Sequence, residues 1–195
     1  AIINKLESVG GDLNAFTNKE DTVFYSAIPV EHFAKAVDVL SDIVFYSIFP
    51  QAEIDKEVEV ICDEIESYND SPAELIYDEF ENLVFKGHPL GHNILGSADR
   101  VRGFATADAM RFTQQYYRPD NAIFFVYGNI DFKRLVKTLE KLTPKQLQES
   151  VVDEALVVAN GKLPELTILN HDTHQAHVMI GNRAYSATHP LRIPL

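Results

Sequence analysis

Apolar side chains recur along this chain with two different periods, and the switches between them predict its elements. Ile2, Ile3, Leu6 and Val9 fall at helical spacing, and Gly10-Gly11 ends that run. Residues 12–28 alternate as strands do, interrupted by Asn18-Lys19-Glu20-Asp21, which predicts a hairpin closed by Pro29. From Glu31 to Ile48 the positions Phe33, Val37, Leu40, Val44 and Ile48 return every three or four residues, as in a helix. Pro50 opens a third helix over 51–67, and Ser71-Pro72 a fourth that runs to Phe85. Gly87-His88-Pro89-Leu90-Gly91-His92 is loop by composition. Thr106 is the expected N-cap of a helix through Tyr116, with Asp108 in its first turn. Residues 121–127 predict a compact buried strand ended by Gly128-Asn129, and Asp131 starts a helix through Leu142. The polar stretch containing Pro144, Gly161 and Pro164 reads as a linker, followed by strands near 165–170 and 176–181.

This order is neither a strict βαβ alternation nor an all-helical one, so the expected class is α+β, helices packed on a mainly antiparallel sheet. The charge balance then narrows the partners. A formal net charge of -12 repels phosphate backbones and anionic membranes, so nucleic-acid and membrane binding are not expected. No apolar run is long enough to span a bilayer, and no leader peptide is visible. A soluble, cytoplasmic setting is the expectation. Cys62 is the sole cysteine, which excludes an intrachain disulfide and a cysteine-based zinc site.

Chemistry concentrates on the third helix. At about 100° per residue, Ile54, Val58, Ile61 and Ile65 share one apolar arc, while Asp55, Lys56, Glu59, Asp63 and Glu66 point to solvent. Glu57 and Glu64 lie one above the other at the edge of the arc, which makes them the acids expected to be part-buried. Seven residues correspond to a rise of about 10 Å, so the two cannot grip one ion as adjacent ligands. One can bind a metal while the other orients a neighbouring ligand. On periodicity alone a solvated acidic face is the ordinary reading, and position alone does not make a metal ligand.

Three blocks in series give that helix a context. Gly10-Gly11 through Asn14-Ala15-Phe16-Thr17, Glu20 and Thr22, with Phe24-Tyr25, resembles the GG-x-x-NAxT-x-x-E-x-T-x-Y block of insulinase/pitrilysin (M16) peptidases. Glu57 to Glu64 is similar to the family's E-x6-E helix, and His88-Pro89-Leu90-Gly91 with Ile94-Leu95-Gly96 to its HPLG-x-x-ILG loop. A weaker echo is Tyr117-x-Pro119-x-Asn121 followed by Gly128-Asn129-Ile130-Asp131. The resemblance implies one M16 half of the mitochondrial processing peptidase type, truncated at both ends. Residues 1–150 would be a peptidase domain without its first strands and zinc-motif helix, 151–164 a linker, and 165–195 the start of a second M16-type domain.

For function, the resemblance implies a zinc-dependent endopeptidase acting on peptides or small unfolded proteins. Glu64 would be the third protein ligand of the zinc, and Glu57 the acid that supports the ligand set. Asn14, Ala15 and Phe16 would form the strand edge against which substrate pairs. The remaining ligands and the catalytic base belong to a His-x-x-Glu-His motif that this chain does not contain, expected roughly a dozen residues before Ala1. The chain as given is therefore expected to be inactive alone and to hold zinc weakly or not at all. Its partners would be the peptide substrate and the rest of the M16 fold or a partner subunit, as a homo- or hetero-oligomer. A non-catalytic M16-like structural subunit is the alternative.

Other candidates carry less. His171, His174 and His177 do not converge on one face of a strand. Pro89 and Gly91 put His88 and His92 in a loop rather than on a helix. Tyr116, Tyr117 and Arg118 read as packing residues, and Cys62 as a small buried hydrophobe.

Overall fold

The computed structural model describes residues 2–144, 166–171, 174–186 and 189–193. Seven α-helices and two strands are formed among them: α1 Asn4–Glu7, β1 Asn14–Thr17, β2 Thr22–Tyr25, α2 Phe33–Phe45, α3 Gln51–Asn69, α4 Pro72–Val84, α5 Ala98–Val101, α6 Thr106–Tyr116 and α7 Phe132–Leu142. Helices dominate, with one small antiparallel sheet, which is the α+β class read from the pattern. Contacts divide the chain into two compact units, and the division falls inside α3. One unit takes residues 2–57 and 103–144, the other 58–102 and the described residues from 166 onward.

In the first unit, α1 ends at Glu7 and the turn that follows it closes at Gly10, whose φ of 77° is left-handed backbone suited to glycine. The hairpin follows with Asn14 opposite Tyr25 and Thr17 opposite Thr22. Asn18 shapes its turn, the side-chain Oδ1 accepting from the N–H groups of Glu20 at 2.9 Å and Asp21 at 2.7 Å. Two apolar clusters hold α2. Leu6, Ala36 and Val39 pack with Leu13, Ile28 and Ile43, and Phe33 and Val37 pack with Leu135 of α7. Asp131 caps α7, accepting from the Arg134 N–H at 2.7 Å. The Tyr46 hydroxyl donates to the Leu142 carbonyl at 3.1 Å, tying the ends of α2 and α7.

In the second unit α4 starts at Pro72, in the first-turn position that costs no hydrogen bond. The Arg183 guanidinium donates from Nε to the Val84 carbonyl at 2.7 Å, closing the C-terminal end of α4. The loop after α4 turns through Gly91, whose N–H donates to the His88 carbonyl at 2.8 Å.

Four local expectations are corrected. Residues 121–127 are not a buried strand: Ile123, Phe125 and Tyr127 are exposed, and the segment has no ladder partner among the described residues. The strands near 165–170 and 176–181 are likewise absent among the described residues, because an alternating pattern supplies a face but not a neighbour. Thr106 is the first helical residue of α6 rather than its cap. The Asp108 carboxylate accepts from the Ala105 N–H at 3.0 Å, and the Thr106 hydroxyl donates to the Phe49 carbonyl at 2.7 Å. Finally, α2 stops at Phe45, short of Ile48. The linker expected at 151–164 lies outside the described residues.

Candidate functional site

Helix α3 carries the two acids. Its buried residues are Val58, Cys62 and Ile65, with Ile54 and Ile61 only part-buried. The inner stripe is thus rotated toward Cys62, away from the side on which Glu57 and Glu64 stand. Both acids are exposed, which corrects the part-buried positions expected for them. Along the helix Lys56 pairs with Glu53 at 2.9 Å, and the Gln51 side-chain amide donates to Asp55 at 2.8 Å. Glu57 and Glu64 have no ion pair or hydrogen bond among the described residues, so their carboxylates keep their full acceptor capacity.

The hairpin carries the other candidates. Asp12 donates its N–H to Ala27 at 2.9 Å and Asn18 to Asp21 at 2.9 Å, so even-numbered residues of β1 turn their backbone groups toward β2. Ala15 and Thr17 therefore present theirs along the outer edge, which has no strand partner among the described residues. All four residues of β1 are exposed, including Asn14, Ala15 and Phe16. The Asn14 side-chain Oδ1 accepts the outward Ala15 N–H at 2.9 Å, so an incoming strand would have to displace it. On one face of the hairpin Phe16 and Tyr25 pair at 6.2 Å; on the other, Phe24 meets Tyr117 edge-on at 5.9 Å.

Zinc needs several protein ligands within reach of one point. Among the described residues no three His, Cys, Asp or Glu side chains are grouped to hold a metal. The donors present do not fit zinc by themselves: Glu64 supplies one carboxylate, and one carboxylate does not hold the ion. No catalytic step is assigned to these residues alone. His171, His174 and His177 are exposed, and His88 serves its own loop by accepting the Leu90 N–H at Nδ1, 3.2 Å away. Arg118 is held by Asp120, with Nε donating to Oδ1 at 3.0 Å, and Tyr117 packs on Phe112 at 5.8 Å. The sequence reading missed a cavity of about 290 Å³ in the first unit, between Phe45, Met110, Thr113, Tyr117, Arg118 and Pro144. No single motif marks it, since its lining comes from the ends of α2, α6 and α7.

Residues 1–98, half of the chain, match the family model described as insulinase (peptidase family M16). The chain belongs to the insulinase (M16) peptidase family. Residues 104–195 match a second model of this family, the peptidase M16 inactive domain. Among curated relatives, an uncharacterised zinc protease of Rickettsia bellii is 39% identical over 141 residues, covering 72% of this chain and 34% of the relative. The uncharacterised zinc protease YmxG of Bacillus subtilis is 32% identical over 193 residues, covering 96% of this chain and 45% of its own length. The M16 chain therefore spans less than half the length of these relatives. The fold is similar to a solved M16-like peptidase from Alicyclobacillus acidocaldarius, with a TM-score of 0.67 and 24% identity over 76% of this chain and 35% of that one. It is also similar to a protease from Helicobacter pylori, with a TM-score of 0.68 and 22% identity over 84% of this chain and 39% of the other. No helix among the described residues is long and apolar enough to cross a membrane.

Proposed function

We propose that this chain is part of a zinc-dependent endopeptidase of the M16 family that hydrolyses peptides or small unfolded proteins. Glu64 is its third protein ligand to zinc, Glu57 supports the ligand set, and the outer edge of β1 at Asn14–Phe16 receives the substrate backbone. The observation that carries this reading is the state of the two acids in a chain of this family. They stand on one uninterrupted helix with exposed carboxylates that no cation of the described residues neutralises. The β1 edge supports it, because Ala15 and Thr17 offer outward backbone groups of the kind a substrate strand pairs with. The histidine ligands and the base are supplied from outside this chain.

The test is Glu64→Gln in the full-length protein, with zinc content, peptide hydrolysis and circular dichroism measured together. Loss of zinc and a fall in activity of at least about 100-fold, with the fold retained, is expected for a lost metal ligand. Full activity in the variant would place the ligand elsewhere. A wild-type full-length protein without zinc or hydrolytic activity would leave the non-catalytic subunit reading.

A further inference from the structure

The cavity of about 290 Å³ in the first unit lies where the ends of α2 and α6 meet the Arg118-Pro119 turn and Pro144. Its apolar lining includes Val44, Phe45, Met110 and Pro144, each half-buried. An apolar occupant would take these side chains out of water. Four polar side chains line the cavity as well, and two of them are already committed. The Ser47 hydroxyl donates to the Ile43 carbonyl at 2.8 Å, and that of Thr113 to the Ala109 carbonyl at 3.1 Å. The other two keep capacity. Gln114 is exposed, and its side-chain amide has no hydrogen bond among the described residues. The Arg118 side chain is only 13% exposed; Asp120 takes its Nε and Nη2, which leaves Nη1 free to donate.

We propose that this cavity binds an uncharged apolar amide, namely one apolar residue of a peptide together with its flanking peptide group. The amide follows from the two uncommitted side chains. Arg118 Nη1 needs an acceptor and the Gln114 carbonyl oxygen a donor, and a peptide group carries both. The ligand is uncharged because Asp120 already neutralises Arg118, so no net charge on the wall holds an ion. A formal net charge of -12 on the chain repels free anions further. Size sets the rest. The volume falls just below the roughly 300–1,000 Å³ of drug-sized sites, which leaves room for about a dozen heavy atoms, one capped amino acid. The inference stands on this cavity and uses neither Glu64 nor zinc.

The chain has two methionines, Met110 in the cavity and Met179 in the other unit, so carbon-13 labelling of their methyl groups gives a local readout. N-acetyl-leucinamide and a capped alanine-leucine-alanine tripeptide should each shift the Met110 methyl signal and leave Met179 in place. Saturation is expected in the millimolar range, as about a dozen heavy atoms allow. Gln114→Ala should weaken binding about 3- to 10-fold, the loss of one hydrogen bond. Free leucine, charged at both ends, should bind at least about 10-fold more weakly. No shift at Met110, an equal shift at Met179, or free leucine binding as well as the amide would each overturn the proposal. So would unchanged affinity in Gln114→Ala, or failure of the tripeptide, which would restrict the cavity to free small molecules. Saturation-transfer NMR of N-acetyl-leucinamide should show the same binding to the full-length protein. Its absence there would overturn the proposal by giving the cavity to a segment beyond this chain.

Discussion

A methyl group placed on Gly91 would collide with the Phe85 carbonyl oxygen and lie 2.7 Å from its carbon, both of them backbone atoms that cannot swing aside. Gly91→Ala should therefore lower stability by about 1–3 kcal/mol, the usual cost of forcing an atom into filled space. Urea denaturation of this chain measures it, and an unchanged midpoint would mean that the loop reshapes freely. The glycine is thus a residue of fold. The two acids on α3 make a different case. Their place on one side of a helix was legible, yet their burial was not. The apolar arc reads Ile54 and Ile61 as equal to Val58 and Ile65, whereas packing buries Cys62 in their stead and turns the whole stripe.

Among elements, α7 shows how much one side chain can set. Its helix begins where Asp131 accepts the Arg134 N–H, and the same helix brings Leu135 onto Phe33 and Val37. Asp131→Ala should cost about 1 kcal/mol in thermal or urea unfolding, while Asp131→Asn, which keeps the acceptor, should stay within a few tenths. Equal losses in both variants would shift the effect to charge. Helices such as α3, α4 and α7 were legible because their apolar period, their starts and their stops are all local. The β1–β2 hairpin was legible for the same reason, its partners being joined by a tight turn. Residues 122–127, 166–170 and 176–181 have strand-like sequences without strands, because pairing depends on segments far along a chain, and α5 is too short to show a period.

At the scale of the whole molecule, the family was legible from the spacing of the blocks at Asn14–Thr17, Glu57–Glu64 and His88–Gly91, each weak alone. A metal centre was not, since among the described residues no three His, Cys, Asp or Glu side chains are grouped to hold an ion. Zinc added to this chain in a calorimetric titration should give no stoichiometric, sub-micromolar binding, since the described residues group no three donor side chains. A tight site would point to residues other than α3. Zinc should raise the melting temperature of the full-length protein and leave that of this chain unchanged, because a ligand stabilises only the fold that binds it.

Cys62 turns its burial into a native clock. It is the sole thiol of the chain, 2% exposed, with its sulfur 3.9 Å from the Ala98 carbonyl oxygen. A colourless thiol reagent that reports by absorbance can reach it only when α3 lifts from its neighbours. Labelling in native buffer should run at least about 1,000-fold slower than for a free thiol and reach the free rate in urea. The ratio of those rates is the population of lifted helices, read in solution without a mutation or a ligand.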